Sequence, residues 1–301
     1  MSPRSLGENL AALASAQLLT WVITGATLAI LPRYLGPADF GRLTLGITLA
    51  AFASTFAGLG LPTLVTKLVA RDGREAGDAV LSALLITLVT SVLAAVGLML
   101  ALPVLGYGPR TQAVVGLSLL AVPVVLVGMI GASILQGFQV MRVQALLDVG
   151  GKLGTLIALA AVIVTGTGVI AYATANAVLT VAGALPMIAV ALRAVGIRGR
   201  RANRVREVVV AGLPLYTTDV FLVLYMTTDL VLLSLLATER EVGLYAAPMR
   251  IFGTLLFLPN VVAVVLFPRL AHAHRSDPDH FLTVSYWSLV CVWLAAIPIS
   301  L

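Results

Sequence analysis

Charge is the scarcest commodity in this sequence. Only 11% of its 301 residues are Asp, Glu, Lys or Arg, against about a quarter in soluble globular domains. A water-solvated surface is therefore excluded as the main boundary of the chain. Cysteine occurs once, Cys291, and histidine three times, which rules out an internal disulfide and leaves little material for a metal cluster. His272, His274 and His280 share one basic loop, a surface placement rather than a zinc-ligand pattern. The sequence has no phosphate-cradling P-loop and no paired cysteine motif, so nothing in it points to ATP hydrolysis. Gly166, Gly168 and Ala171 match GxGxxA, but they fall in a turn between apolar runs and not after a strand, which removes the dinucleotide meaning. No cofactor and no metal is expected.

Hydrophobic residues make up 60% of the chain, and its mean hydropathy is +1.05. Runs long enough to cross about 30 Å of hydrocarbon fall near residues 10–31, 43–65, 79–105, 112–135, 145–165, 169–192, 208–236, 244–267 and 281–301. The first run follows Arg4 but is longer than the 7 to 15 residues of a signal-peptide core, and no polar domain follows it. The expected fold is an all-α polytopic membrane protein with about nine spans. The net charge of +6 does not indicate nucleic acid, because the basic residues cluster in short loops between spans. With the N-terminus inside, 14 of the Lys and Arg residues fall in inner segments and 4 in outer ones, as retention of positive charge in the cytoplasm requires.

Between 193 and 206 lie six arginines with Gly196 and Gly199, a basic, flexible connection that acts as a topology signal or an anionic-lipid contact. It divides the chain into a six-helix bundle at 1–195, a linker at 196–206 and a three-helix part of a second bundle at 207–301. Sliding the chain by 202 residues places Asp39, Gly41, Leu43 and Lys67 onto Glu241, Gly243, Tyr245 and Arg269. Six spans separate the copies, so they share one orientation, as in a parallel repeat. The repeat leaves the second bundle at three spans, and the sequence stops at Leu301 inside an apolar run, so about three further spans are expected beyond it.

Polar residues inside the spans are the candidates for function. Gln17, Thr20, Thr24 and Thr27 share a helical face, and Thr44, Thr48 and Thr55 lie close to one face of the second span. Such stripes line an aqueous lumen or bind helices together. On the seventh span Thr218, Tyr225 and Asp229 recur along one face, with Asp219 about 80 degrees away. Gly212 and Pro214 are expected to weaken that helix near its start. Asp229 and Arg250 lie at similar distances before and after the turn Thr238–Glu241, hence at one depth in an antiparallel hairpin. Each would cost roughly 2.5–3.5 kcal/mol in lipid, so they are expected to pair or to line a wet cavity. The carboxylate can take a proton or cation, the guanidinium can hold a phosphate, and a structural ion pair is the plain alternative. Asp148 and Lys152, at i and i+4, fit an ordinary helical ion pair.

The turn Leu35-Gly36-Pro37-Ala38-Asp39-Phe40-Gly41 and the block Glu241-Val242-Gly243-Leu244-Tyr245-Ala246-Ala247, preceded by Asp229 and followed by Arg250 and Phe267-Pro268-Arg269, resemble the O-antigen and teichoic-acid flippase branch of the multidrug/oligosaccharidyl-lipid/polysaccharide exporter superfamily. The resemblance implies two six-helix lobes around a cavity and alternating access. It also implies movement of undecaprenyl-pyrophosphate-linked oligosaccharide from the inner to the outer leaflet of the bacterial inner membrane, with the N-terminus cytoplasmic. The expected partners are that lipid-linked substrate, membrane lipids, H+ or Na+ and polysaccharide-assembly proteins, with no nucleic acid. In this reading Arg250 holds the diphosphate and Asp229 tunes or couples it. Gln17, Thr24, Thr27, Thr48 and Tyr225 meet sugar, and Asp219 or Asp229 binds the coupling ion. A carrier is expected, not an enzyme. Two alternatives stay open: a cation-coupled drug exporter of the same superfamily, and a membrane glycosyl- or acyltransferase acting on polyprenyl substrates.

Overall fold

A computed structural model describes the backbone of residues 3–196 and 201–255, and their side chains except at 3–19, 21, 141–145, 148 and 251–255. Every element among these residues is helical, as expected where lipid offers the backbone no hydrogen-bond partner. The helices are α1 (Pro3–Gly58), α2 (Leu61–Asp72), α3 (Gly77–Val104), α4 (Pro109–Gly137), α5 (Met141–Thr165), α6 (Val169–Val195), α7 (Val205–Leu236) and α8 (Glu239–Leu255), with a short 3-10 turn at Gly73–Ala76. By length and composition, five of the segments can cross a bilayer, and Val149–Thr165 is a shorter apolar helix. A polytopic membrane fold is thus established. The chain forms a compact unit over Met1–Leu244 and a second over Tyr245–Leu301; of the latter, residues 245–255 are described and continue α8.

Helix α1 is two spans joined at Gly36, whose φ of 74° and ψ of 168° are not helical. Pro37 imposes this break: it disfavours helix at the residue before it and starts the next arm readily. The turns then gather at two ends. At one end the Tyr34 hydroxyl lies 2.9 Å from the Val162 carbonyl oxygen and 2.8 Å from that of Thr167, while Arg110 reaches Asp39 at 2.8 Å. At the other end the Arg201 and Arg204 amides donate to Asp78 and to the Ser82 hydroxyl at 3.3 and 3.2 Å. This second, basic end carries Lys67, Arg71, Arg74 and Arg193 as well. Odd and even turns therefore alternate between the ends, as successive spans require.

Helix α4 is central and packs on α6, α1, α3 and α2. Between apolar helices in lipid there is little hydrophobic drive, so close packing and hydrogen bonds hold the bundle. Accordingly a Cβ on Gly128 would stand 2.9 Å from the Ala184 methyl, and one on Gly131 would stand 3.3 Å from the Met187 carbonyl oxygen. Leu61, Val65, Val80, Ile130 and Ile134 are fully buried in one cluster near the basic end, and Val115, Leu119 and Leu126 in another.

Two sequence expectations change. The run 43–65 is not one continuous helix: α1 stops at Gly58, Leu59 and Gly60 take φ of 49° and 68°, and α2 starts afresh with Pro62 in its first turn. Helix α7, by contrast, continues through Gly212 and Pro214 without interruption. The break lies instead between α1 and α2. Gly166 is the left-handed cap of α5 and Gly168 the cap of α6, the inter-helix turn expected of them.

Candidate functional site

The break at Leu59–Gly60 frees backbone groups that a membrane helix must satisfy elsewhere. The Ala57 carbonyl accepts a bond from the Thr90 hydroxyl at 2.7 Å. The same bend is pressed against α7: a Cβ on Gly60 would stand 2.5 Å from the Gly212 carbonyl oxygen, and one on Gly212 would stand 2.5 Å from the Leu59 carbonyl oxygen. Only glycine admits this backbone-to-backbone approach, and Gly60 adds a positive φ that disfavours any side chain.

Beside this contact two cavities open. One cavity of about 420 Å³ is lined by Ser54, Thr55, Gly58, Thr63, Asp219 and Met226 among others. A second, of about 470 Å³, is lined by Thr66, Lys67, Ser133 and Gln136, and the two share Pro62, Thr63 and Met129. They adjoin as one cleft along α2 and α4, with α7 bordering the first cavity. It reaches the basic end at Gln136, the residue before the end of α4. Asp219 stands 14 residues into the 32-residue α7, about 21 Å from its start, so it marks the middle of the helix. It makes no ion pair with a described residue. A mid-helix carboxylate among hydroxyls is the kind of intramembrane group that binds ions or polar substrates.

At the opposite end the turns are tied together around a smaller cavity of about 200 Å³, lined by Arg42, Tyr107, Ser234 and Glu239 among others. Asp39 holds Arg42 at 2.5 Å and Arg110 at 2.8 Å, Arg42 also lies 3.9 Å from Glu239, and Thr111 donates to Glu239 at 3.1 Å. Tyr107 and Ser234 share a bond of 2.7 Å. Beneath these bonds two glycines meet reciprocally. A Cβ on Gly41 would overlap the Glu239 carbonyl oxygen, and one on Gly243 would overlap the Pro37 carbonyl oxygen. Glu239 and Gly243 each lie 202 residues after Pro37 and Gly41. The repeat spacing seen in sequence is thus reproduced by a near-twofold contact between the two turns.

A family model described as polysaccharide biosynthesis protein matches residues 6–274. The chain belongs to that family, the polysaccharide and O-antigen flippases of the multidrug/oligosaccharidyl-lipid/polysaccharide superfamily. It is accordingly a polysaccharide-related membrane exporter. No curated protein and no solved structure matches it.

In this exporter the cleft joins two of the residues singled out from sequence, Thr55 and Asp219. Thr24 and Thr48 are half-buried on α1. Thr27 donates to the Ile23 carbonyl at 2.9 Å, the internal back-bond that Thr commonly makes in membrane helices. Thr44 is buried. On α7, Thr218, Tyr225 and Asp229 are exposed, Tyr225 by 80%. Arg250 is half-buried on α8 in the second unit. The side chains of Gln17 and Asp148, and residues 256–301 with Arg269, Cys291 and the three histidines, lie outside the described residues. Sequence reasoning missed Lys67, Thr63, Ser133 and Gln136. Their signal was the pair Gly60 and Pro62, which marks a helix stop and restart inside an apolar run.

At the start of α8 the Thr238 amide and hydroxyl both donate to Glu241, at 2.8 and 2.9 Å, and the Glu241 amide returns a bond of 3.4 Å to the Thr238 hydroxyl. This is a reciprocal capping box. The bonds from Thr238, backbone first and then hydroxyl, hold the Glu241 carboxyl below the usual glutamate range.

Proposed function

We propose that this exporter is a flippase that carries undecaprenyl-diphosphate-linked oligosaccharide across the bacterial inner membrane by alternating access, with the basic end and the N-terminus in the cytoplasm. The observation that carries the reading is an asymmetry between the ends: the larger cleft, which carries hydroxyls on a mainly apolar wall, reaches the basic end, while ion pairs and glycine packing tie the turns of the other end around a smaller cavity. A carrier that loads substrate from the cytoplasm has this form in its inward-open state. The concentration of Lys and Arg at the cleft's end supports the orientation.

In this reading Arg250 is the cation that engages the diphosphate during passage, as a bidentate donor, with Asp229 tuning it. Gln17, Thr24, Thr27, Thr48 and Tyr225 offer hydrogen bonds to sugar, and the chain acts as a carrier rather than as a transferase. H+ or Na+ drives the cycle, and polysaccharide-assembly proteins supply and consume the substrate. The test is flipping of a fluorescent undecaprenyl-diphosphate oligosaccharide by the protein in proteoliposomes. The wild type is expected to flip it and Arg250→Ala to lose most of the rate; full activity in Arg250→Ala removes that residue's role.

Asp219 in the cleft supports a second reading, a cation-coupled exporter of amphipathic cations, since a carboxylate in a partly apolar pocket attracts them. Accumulation of a cationic dye in cells separates the two: the drug exporter lowers it in a manner that depends on Asp219, and the flippase leaves it unchanged.

A further inference from the structure

The cleft carries opposite charges at its two extremes, and the helix geometry sets their separation. Gly60 and Gly212 are in backbone contact. Lys67 lies seven residues beyond Gly60 along α2, towards the basic end, and Asp219 lies seven residues beyond Gly212 along α7, away from it. Seven residues rise about 10 Å, so the two positions stand roughly 20 Å apart along the cleft. Lys67 is exposed and makes no ion pair with a described residue, unlike Arg71, which is held by Asp72 at 2.7 Å. Beside it is the exposed Thr63 hydroxyl, while the Thr66 hydroxyl donates to the Pro62 and Ser133 carbonyls at 3.2 and 3.3 Å.

We infer that Lys67 is the arrival site for the substrate's phosphate and that Asp219 receives the far end of its glycan, which must be neutral or amino-bearing. This rests on the flippase reading and adds the orientation of the bound headgroup and its chemical class. A phosphate is drawn to a compact ammonium with a hydroxyl donor beside it. It is repelled at the other extreme, where an intramembrane carboxylate faces it. The direction of loading is therefore fixed by charge: the diphosphate stays near the membrane surface, where the polyprenyl tail keeps it, and the sugars extend inward past Thr63, Thr55 and Ser54. At the inner end the Asp219 carboxylate accepts bonds from sugar hydroxyls or pairs with an amino group. A terminal uronic acid would meet the same repulsion as phosphate. The length suits a short run of sugar rings and not a single one.

The experiment uses the purified protein in nanodiscs, with two probes: undecaprenyl diphosphate, and the same lipid bearing a neutral trisaccharide. Losing a charge-assisted bond to phosphate corresponds to about tenfold in affinity. Lys67→Ala is expected to weaken both probes by about that factor, and Lys67→Arg, which keeps the charge, is expected to restore most of the binding. Asp219→Asn is expected to leave the bare lipid unchanged and weaken the trisaccharide form, while improving binding of a variant ending in a uronic acid. Wild-type affinity for both probes in Lys67→Ala overturns the proposal, as does phosphatidylglycerol competing as well as undecaprenyl diphosphate, which would make Lys67 a general anionic-lipid contact. If the wild type flips the trisaccharide lipid but the Lys67 and Asp219 variants behave like it, the inference fails and the flippase reading stands. If the wild type neither binds nor flips either probe, that reading itself fails.

Discussion

Gly41 and Gly243 face one another so closely that a methyl group on the first would stand 2.9 Å from the backbone nitrogen of the second, and one on the second 3.1 Å from the backbone nitrogen of the first. The contact is self-complementary, as expected where two copies of one ancestral turn meet about a pseudo-twofold axis. It also explains why the acid-x-glycine spacing recurs 202 residues apart: each copy supplies the flat surface that the other needs.

Gly41→Ala and Gly243→Ala are each expected to destabilise the protein by about 1–3 kcal/mol through overpacking. Because one parting of the two turns would relieve both overlaps, the double variant should cost less than the sum. Gly97→Ala, on a face of α3 with open space around it, should be neutral or slightly stabilising, since alanine is the better helix former. Thermal melting in detergent distinguishes the three, and an unaltered melt for Gly41→Ala would show that the two turns separate easily.

The two arginines on Asp39 should differ in weight. Arg110 is more than half exposed, whereas Arg42 is 18% exposed and lies between Asp39 and Glu239. Removing Arg110 is expected to cost under about 1 kcal/mol, as exposed pairs do. Removing Arg42 takes the more buried partner from Asp39, which keeps Arg110, and from Glu239, which keeps Thr111, and is expected to cost about 1–2 kcal/mol. Arg42→Ala should also raise the labelling of a cysteine placed at Ser234 by a membrane-impermeant reagent added from the outside. Equal labelling with and without Arg42 would deny these ion pairs a role in tying the turns together.

At the bend, Gly60→Ala and Gly212→Ala each put a methyl 2.5 Å from a carbonyl oxygen. Both should destabilise by about 1–3 kcal/mol, Gly60→Ala the more because its φ of 68° disfavours any β-carbon. Transport is expected to fall further than stability, since α2 and α7 border the cleft. Parallel measurement of melting and flipping tests whether the two losses separate.

The capping box gives a pH prediction with a definite sign. Glu241 has a depressed pKa in the folded chain, so its contribution is complete above the ordinary glutamate value of about 4.3 and disappears as pH falls through the depressed one. Glu241→Gln should therefore melt below the wild type at neutral pH, with the difference shrinking under acid conditions. A constant difference across that range would assign the effect to packing alone.

The hairpins and the alternation of turns were legible because lipid demands long apolar runs and leaves basic residues on one side. Gly36-Pro37 announced its break plainly. The break at Leu59–Gly60 was hidden within an apolar run whose leucines favour helix, and Pro62 had weight only once its position in a new first turn was known. Gly212 and Pro214 misled in the opposite direction: their neighbours keep α7 continuous, and Gly212 serves close approach instead. Asp219 stood out as a charge in a span. Lys67 did not, because a base at a helix end equally signals topology, and only the cavity beside it separates the two meanings.

Leu59 spends this conformation in a left-handed backbone state, with φ of 49°, that an ordinary L-residue avoids by roughly 1–2 kcal/mol. Were α1 and α2 to merge into one straight rod, that penalty would vanish, and a bias of roughly five- to thirtyfold would go with it. The bent form is thus preloaded: a single residue's torsion angle holds energy that straightening of this joint would release.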